Sequence, residues 1–174
     1  MRGSLSTLTG VEPSTKGGRP EVTGTGIRLL GAVEAEVGGT TVDLGGPRQR
    51  RLAAALALRA GHRVGIGEII DAVWPDGDLP PKPTDTLYTY VHRLRRSLGD
   101  QAIVETKEGS YCIVLCDADV DALLFERVVN ECASLPPDQR IVELQRALSL
   151  WHGPALSGFE HEEWARPHAV RLAE

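Results

Sequence analysis

The segment TDTLYTYVHRLRRSL, residues 84–98, decides how the rest of the chain is read. At about 100° per residue its side chains sort into two faces. Leu87, Val91, Leu94 and Leu98 fall on one stripe, the spacing of a helix face turned to a core. Asp85, Thr89, His92, Arg93 and Arg96 fall on the opposite side. Tyr88 and Arg95 lie on one flank, Thr86 and Tyr90 on the other. Thr84 or Asp85 is expected to supply the N-cap oxygen and Gly99 the stop. Hydroxyls, an imidazole and guanidiniums on one outward face are the groups that contact phosphates and base edges. The same pattern also suits a solvated charged face, so the neighbouring segments have to decide.

Upstream, residues 27–44 read as small antiparallel strands, IRLLGAVEAEV and TTVDL, joined at Gly38-Gly39, where positive φ is cheap. Residues 48–60, RQRRLAAALALRA, are rich in helix formers and stop at Gly61. Arg50 and Arg51 in the first turn oppose the helix dipole, a conflict eased by a nearby phosphate or by solvent. A short strand over 62–66 and a short amphipathic helix over 67–74 follow. Residues 75–83, PDGDLPPKP, hold four prolines and form a stiff connector. Downstream, strands over 102–107 and 111–116 flank a turn at Glu108-Gly109-Ser110. Strands, helix, strand, helix, loop, helix and hairpin make a winged helix-turn-helix.

After Asp117 the pattern becomes helical only. A first helix over 119–133 is expected to bury Val120, Leu123, Leu124, Val128 and Cys132. A second over 138–151 would bury Ile141, Leu144, Leu148 and Trp151. A third, over 160–174, carries Trp164. Short Pro and Gly connectors suit a tetratricopeptide-like array. The expected fold is thus an α+β winged helix-turn-helix followed by an all-α tetratricopeptide-like helical domain. Its divisions are a flexible arm at 1–26, a DNA-binding domain at 27–116 and the first helices of a second domain at 117–174. In the arm, 16 of 26 residues are Gly, Ser, Thr or Pro, too few apolar groups to order it.

The formal charge of −5 conceals a division. Residues 1–26 carry net +1, residues 27–116 are neutral, and residues 117–174 carry net −6. Local field, not the total, governs approach to DNA. The acidic helices therefore point to protein partners rather than DNA. No apolar run approaches the ~20 residues of a membrane span. No hydrophobic leader follows Met1, and three cysteines suit a reducing compartment, so a cytoplasmic location is expected.

Catalytic and metal motifs are missing. There is no GxxxxGK[ST] loop, and HEEWARPH (161–168) departs from HExxH at Ala165. Cys112 and Cys116 read as small core residues, and Trp74, Trp151 and Trp164 as packing anchors. No enzymatic activity, cofactor or metal is expected.

Six segments together resemble the Streptomyces antibiotic regulatory protein family of transcriptional activators. They are IRLLGAVEAEVGG, LGGPRQRRLAAALALRAG, EIIDAVW, TLYTYVHRLRRSLGD, LLFERVV and ALSLWHGPALSGF, spread over about residues 27–174. The resemblance implies an OmpR-type winged helix and then a bacterial transcriptional activation domain, here its opening helices. It implies a dimer on direct repeats of promoter DNA, contact with RNA polymerase and its sigma factor, and control of antibiotic gene clusters. By position, Thr89, His92 and Arg93 would read bases. Arg48, Arg50, Thr86, Tyr90, Arg95 and Arg96 would meet phosphates, and Lys107 would be the wing contact. Trp74, Asp76, Asp78 and Lys82 would belong to the loop facing polymerase. On physical grounds Arg93, central on the exposed face, is the choice for bidentate guanine recognition. Two other readings stay open: a response-regulator output domain detached from its receiver, and a helical-repeat adaptor whose winged helix binds no DNA.

Overall fold

The computed structural model describes residues 24–100 and 103–174. Most of the expected arm (residues 1–23) and the start of one expected strand (Ala102) lie outside the described residues. The chain opens with β1 (Thr25–Arg28), β2 (Glu34–Val37) and β3 (Thr40–Val42), an antiparallel sheet in that order. Gly38 and Gly39 join β2 to β3 with φ of 58° and 77°, the left-handed pair a two-residue hairpin turn demands.

The sequence expectation of one strand through IRLLGAVEAEV is corrected, because the run breaks at Leu29. Leu29 and Leu30 are both fully buried, which strict alternation on a one-sided strand forbids. Their N–H groups donate to the Asp121 carboxylate at 2.7 and 3.1 Å. The carbonyls of Leu29, Leu30 and Gly31 accept from Leu156, His152 and Ser157 at 2.7, 2.7 and 2.8 Å. Backbone groups lost to the sheet are thus satisfied by the far end of the chain.

Helix α1 (Pro47–Ala57) starts with Pro at its first position, where no donor is needed, and the Gly46 N–H donates to the Gln49 side chain at 3.3 Å. Its buried Leu52, Ala53, Ala54, Leu56 and Ala57 let neighbouring elements approach closely. β4 (Val64–Gly65) leads into α2 (Ile66–Val73), and the connector then delivers α3 (Pro83–Ser97). Leu87, Val91 and Leu94 of α3, with Leu98 after it, are buried as their spacing requires. Pro83 takes the first position and Lys82 the cap without a side-chain bond, so neither Thr84 nor Asp85 caps this helix.

β5 (Val104–Lys107) and β6 (Ser110–Ile113) form a hairpin, and β4 joins it in the order β4-β6-β5. The turn is shorter than expected: Glu108 and Gly109 alone make it, with φ of 45° and 71°, and Ser110 is already paired with Lys107.

A short 3-10 turn (Asp117–Asp119) precedes α4 (Asp121–Cys132), α5 (Pro137–Leu148) and α6 (Arg166–Ala173). α4 and α5 pack together across the Pro136 break. Here several expectations need correction: Leu123, Leu124 and Val128 are half-buried rather than buried, and Trp151, also half-buried, lies past the end of α5. Ile141 and Leu148 are 56% and 61% exposed, because α5 buries only Ala147 fully and Leu144 in part among the described residues. Trp164 precedes α6 instead of lying on it, in a run of turns whose Leu156, Phe159 and Ala165 enter the core. Cys116 is exposed, its thiol 2.9 Å from the Asp119 carboxylate, so only Cys112 is the small core residue expected of both. Buried side chains from Ile27 to Leu172 form one hydrophobic cluster that runs through the winged helix and the helices after it. Among the described residues, no helix is long and apolar enough to cross a membrane.

Candidate nucleic-acid interface

Burying the leucine stripe of α3 forces its opposite side outward. Thr89, His92, Arg93 and Arg96 are all exposed there, as is Tyr88 on the flank. Neither Arg93 nor Arg96 forms an ion pair among the described residues. The Thr89 hydroxyl donates to the Asp85 carbonyl at 3.2 Å and the Thr86 hydroxyl to the Lys82 carbonyl at 3.0 Å, which leaves each oxygen its acceptor capacity. Asp85, the acidic member of this face, lies 3.9 Å from the Lys82 ammonium, a well-solvated pair worth little.

The remaining expected contacts divide. Lys107 stands exposed at the end of β5, beside the hairpin turn. Arg50 is exposed on α1, whereas Arg48 donates to Asp78 of the connector at 3.0 Å. A phosphate-contact candidate and a polymerase-loop candidate therefore hold each other. Tyr90 is half-buried, its ring stacked on Trp74 at 5.9 Å. Trp74 is itself buried, and the exposed part of the connector is Asp76, Gly77, Asp78, Leu79, Pro81 and Lys82. Arg95 is turned against the hairpin, where its guanidinium donates to the Val104 carbonyl and to the Thr106 hydroxyl.

Three groups take roles that the sequence did not give them, among them Arg51, whose conflict with the α1 dipole is eased by Glu162 and not by a phosphate or solvent. Arg63, exposed just before β4, reaches Glu105 at 3.3 Å and Ser110 at 3.5 Å across the hairpin. Its signal was an exposed cation alternating with buried Val64 in the strand that pairs with β6. Tyr88, half exposed, sets its ring edge against Tyr111 at 6.3 Å. Burial pushes the Tyr111 phenol up to about 12, with nearby Tyr88 adding to the rise and Arg95 opposing it. The third is Arg51, the residue that opposed the dipole of α1. It makes a forked pair with Glu162 at 2.6–3.1 Å and lies 5.2 Å from the Phe159 ring centroid, while Trp164 Nε1 donates to the same carboxylate at 2.6 Å. Hydrogen bonding to Glu162 holds the Arg51 pKa above its ordinary value against the effect of burial.

A helix pair, α2 and α3, with a hairpin at the side of the second and a small sheet ahead of both, defines a winged helix-turn-helix of the OmpR type. Residues 39–113 match the family described as "Transcriptional regulatory protein, C terminal", and residues 120–174 match the "Bacterial transcriptional activator domain". The chain belongs to the Streptomyces antibiotic regulatory protein family of transcriptional regulators. It is 34% identical over 152 residues to the regulatory protein AfsR of Streptomyces coelicolor, a match spanning 84% of this chain and 15% of that protein. It is 31% identical over 141 residues to the transcriptional regulator RedD of the same species, covering 75% of this chain and 40% of RedD. The structure of Mycobacterium tuberculosis EmbR in complex with a low-affinity phosphopeptide superposes with a TM-score of 0.76 at 25% identity. That match covers 86% of this chain and 41% of EmbR. The chain thus spans less than half the length of each of these relatives. Among the described residues, no group of His, Cys, Asp and Glu could hold a metal ion. These relatives are transcriptional regulators.

Proposed function

We propose that this chain is a sequence-specific, DNA-binding transcriptional activator that acts in the cytoplasm on promoter DNA. The observation that carries the reading is the exposed Arg93 and Arg96, without an ion-pair partner among the described residues, on a helix whose apolar side is locked in the core, with a hairpin standing beside it. An α-helix fits the major groove, about 12 Å wide, and an Arg there can bond guanine O6 and N7 together. Arg93 reads guanine, with Thr89 and His92 on neighbouring bases. Arg96, Arg50, Arg48, Thr86 and Tyr90 lie towards phosphates, and Lys107 follows the backbone from the wing.

Residues 27–116 serve as the DNA-binding unit, which β1 extends back to Thr25 at the expense of the expected arm, and 117–174 as the activation unit. Two copies bind direct repeats side by side, and the partners are RNA polymerase and its sigma factor. Asp76, Asp78 and Lys82 form the approach to polymerase, and Trp74 supports the loop from beneath. The acidic helices suit basic protein surfaces, since DNA would repel them. The kinship with AfsR and RedD favours targets in secondary-metabolite gene clusters.

Selection of bound duplexes from a random pool tests the assignment of roles. Arg93→Ala should relax the preference at one base pair, a loss of discrimination of about 1–3 kcal/mol. Arg96→Ala should weaken every duplex alike. Equal losses on selected and random duplexes for Arg93→Ala would remove it from the base-reading set.

A further inference from the structure

Arg95 lies on the flank of α3 nearest the wing, and its Nε and Nη2 donors bond within the protein. Nε donates to the Val104 carbonyl at 2.8 Å, Nη2 shares that oxygen, and Nη2 also donates to Thr106 Oγ1 at 2.8 Å. The geometry of the hairpin explains why this carbonyl is available. β5 is an edge strand with β6 on one side only. The Val114 N–H donates to the Ile103 carbonyl at 2.7 Å, so the antiparallel alternation turns the next carbonyl, that of Val104, away from β6. The matching outward carbonyl on β6, that of Ile113, accepts from the Gly61 N–H at 2.9 Å. Arg95 thus supplies on the open edge what Gly61 supplies on the other.

A lone two-stranded hairpin is marginal in water. This one has a third strand only at β6, so β5 and the wing tip depend on attachments from outside the sheet. Thr106, the last residue Arg95 holds, directly precedes Lys107. Cross-linking β5 to α3 fixes where Lys107 stands relative to His92 and Arg93, three and two residues from Arg95 on the same helix.

We propose that Arg95 is a positioning residue that clamps the wing to the recognition helix, so that Lys107 and Arg93 engage one duplex together, and that it is not itself a phosphate contact. This rests on reading α3 and the wing as the DNA-binding surface.

The test uses the full chain and two duplexes: a site selected from a random pool, and the same site cut short on the wing side. On the long duplex Arg95→Ala should weaken binding roughly tenfold, the scale of one charge-assisted contact. It should match Lys107→Ala, and the double variant should bind no worse than Arg95→Ala alone. On the short duplex the Arg95→Ala loss should fall below about twofold, with base preference unchanged. Thr106→Val, which removes one clamp bond and keeps the strand, should show the same duplex dependence with a smaller loss, and it decides the matter if Arg95→Ala fails to fold. Equal losses on both duplexes, or additive losses with Lys107→Ala, would overturn the clamp and make Arg95 a direct contact. A wild-type chain that binds neither duplex would instead overturn the DNA-binding reading, and the clamp with it.

Discussion

Asp121 shows how one side chain can decide a local fold. Its carboxylate accepts the Leu29, Leu30 and Ala122 N–H groups, serving a broken strand and the second residue of its own helix at once. Those bonds favour the ionised form, and Arg28 adds to them, but burial outweighs both and holds the Asp121 pKa above its usual value. The folded chain therefore keeps this proton to higher pH than the unfolded chain does. Between the unfolded value near 3.8 and the raised folded value, the folded state binds more protons, so stability falls as pH rises through that window. Urea unfolding of wild type and Asp121→Asn across that range should show this slope in wild type only. An identical pH dependence in the two proteins would contradict it. Asp121→Ala, which removes the acceptor of the Leu29, Leu30 and Ala122 N–H groups, should cost about 3 kcal/mol or more at neutral pH by the same measurement.

Among the elements, α3 was the most legible and the stretches around it less so. The spacing of Leu87, Val91, Leu94 and Leu98 fixes which side is buried, and everything exposed on the other side follows from geometry. The wing was legible because Glu108-Gly109 separates two β-rich runs. The break at Leu29 was not, because the groups that satisfy it lie 91 and 92 residues away, at Asp121. The exposure of Ile141 and Leu148 was hidden for a related reason: a 3.6-residue period marks an apolar face but does not say whether anything covers it. Arg51 is a third case. A cation in the first turn of α1 looks misplaced until Glu162, 111 residues on, is found beside it. The pair is largely enclosed, with side chains 16% and 19% exposed, so removing one partner leaves a poorly solvated charge. Arg51→Ala and Glu162→Gln should each lower stability by about 2–3 kcal/mol in denaturant melts, and the double variant should lose much less than the two losses added. Additive losses would show that the pair does not act as a unit.

For the whole molecule, the charge division and the shared core have to be held together. The basic side of α3 belongs to a neutral segment, and the six excess negative charges all lie after residue 116. Yet the Arg51–Glu162 fork, the bonds from Asp121 to Leu29 and Leu30, and the continuous apolar cluster join the acidic helices to the winged helix. That joining gives the acidic surface a fixed attachment to α3, the arrangement the proposed activator needs if protein contacts are to follow from DNA contacts. Everything then depends on where the guanidinium of Arg93 goes. Methylation of guanine N7 by dimethyl sulfate reads the major groove directly, since N7 is exposed there. On a duplex selected from a random pool, the bound wild-type chain should protect guanines in each half-site, and Arg93→Ala should restore reactivity at one guanine per half-site while the chain stays bound. Full N7 reactivity throughout the wild-type complex would show that α3 does not lie in the major groove.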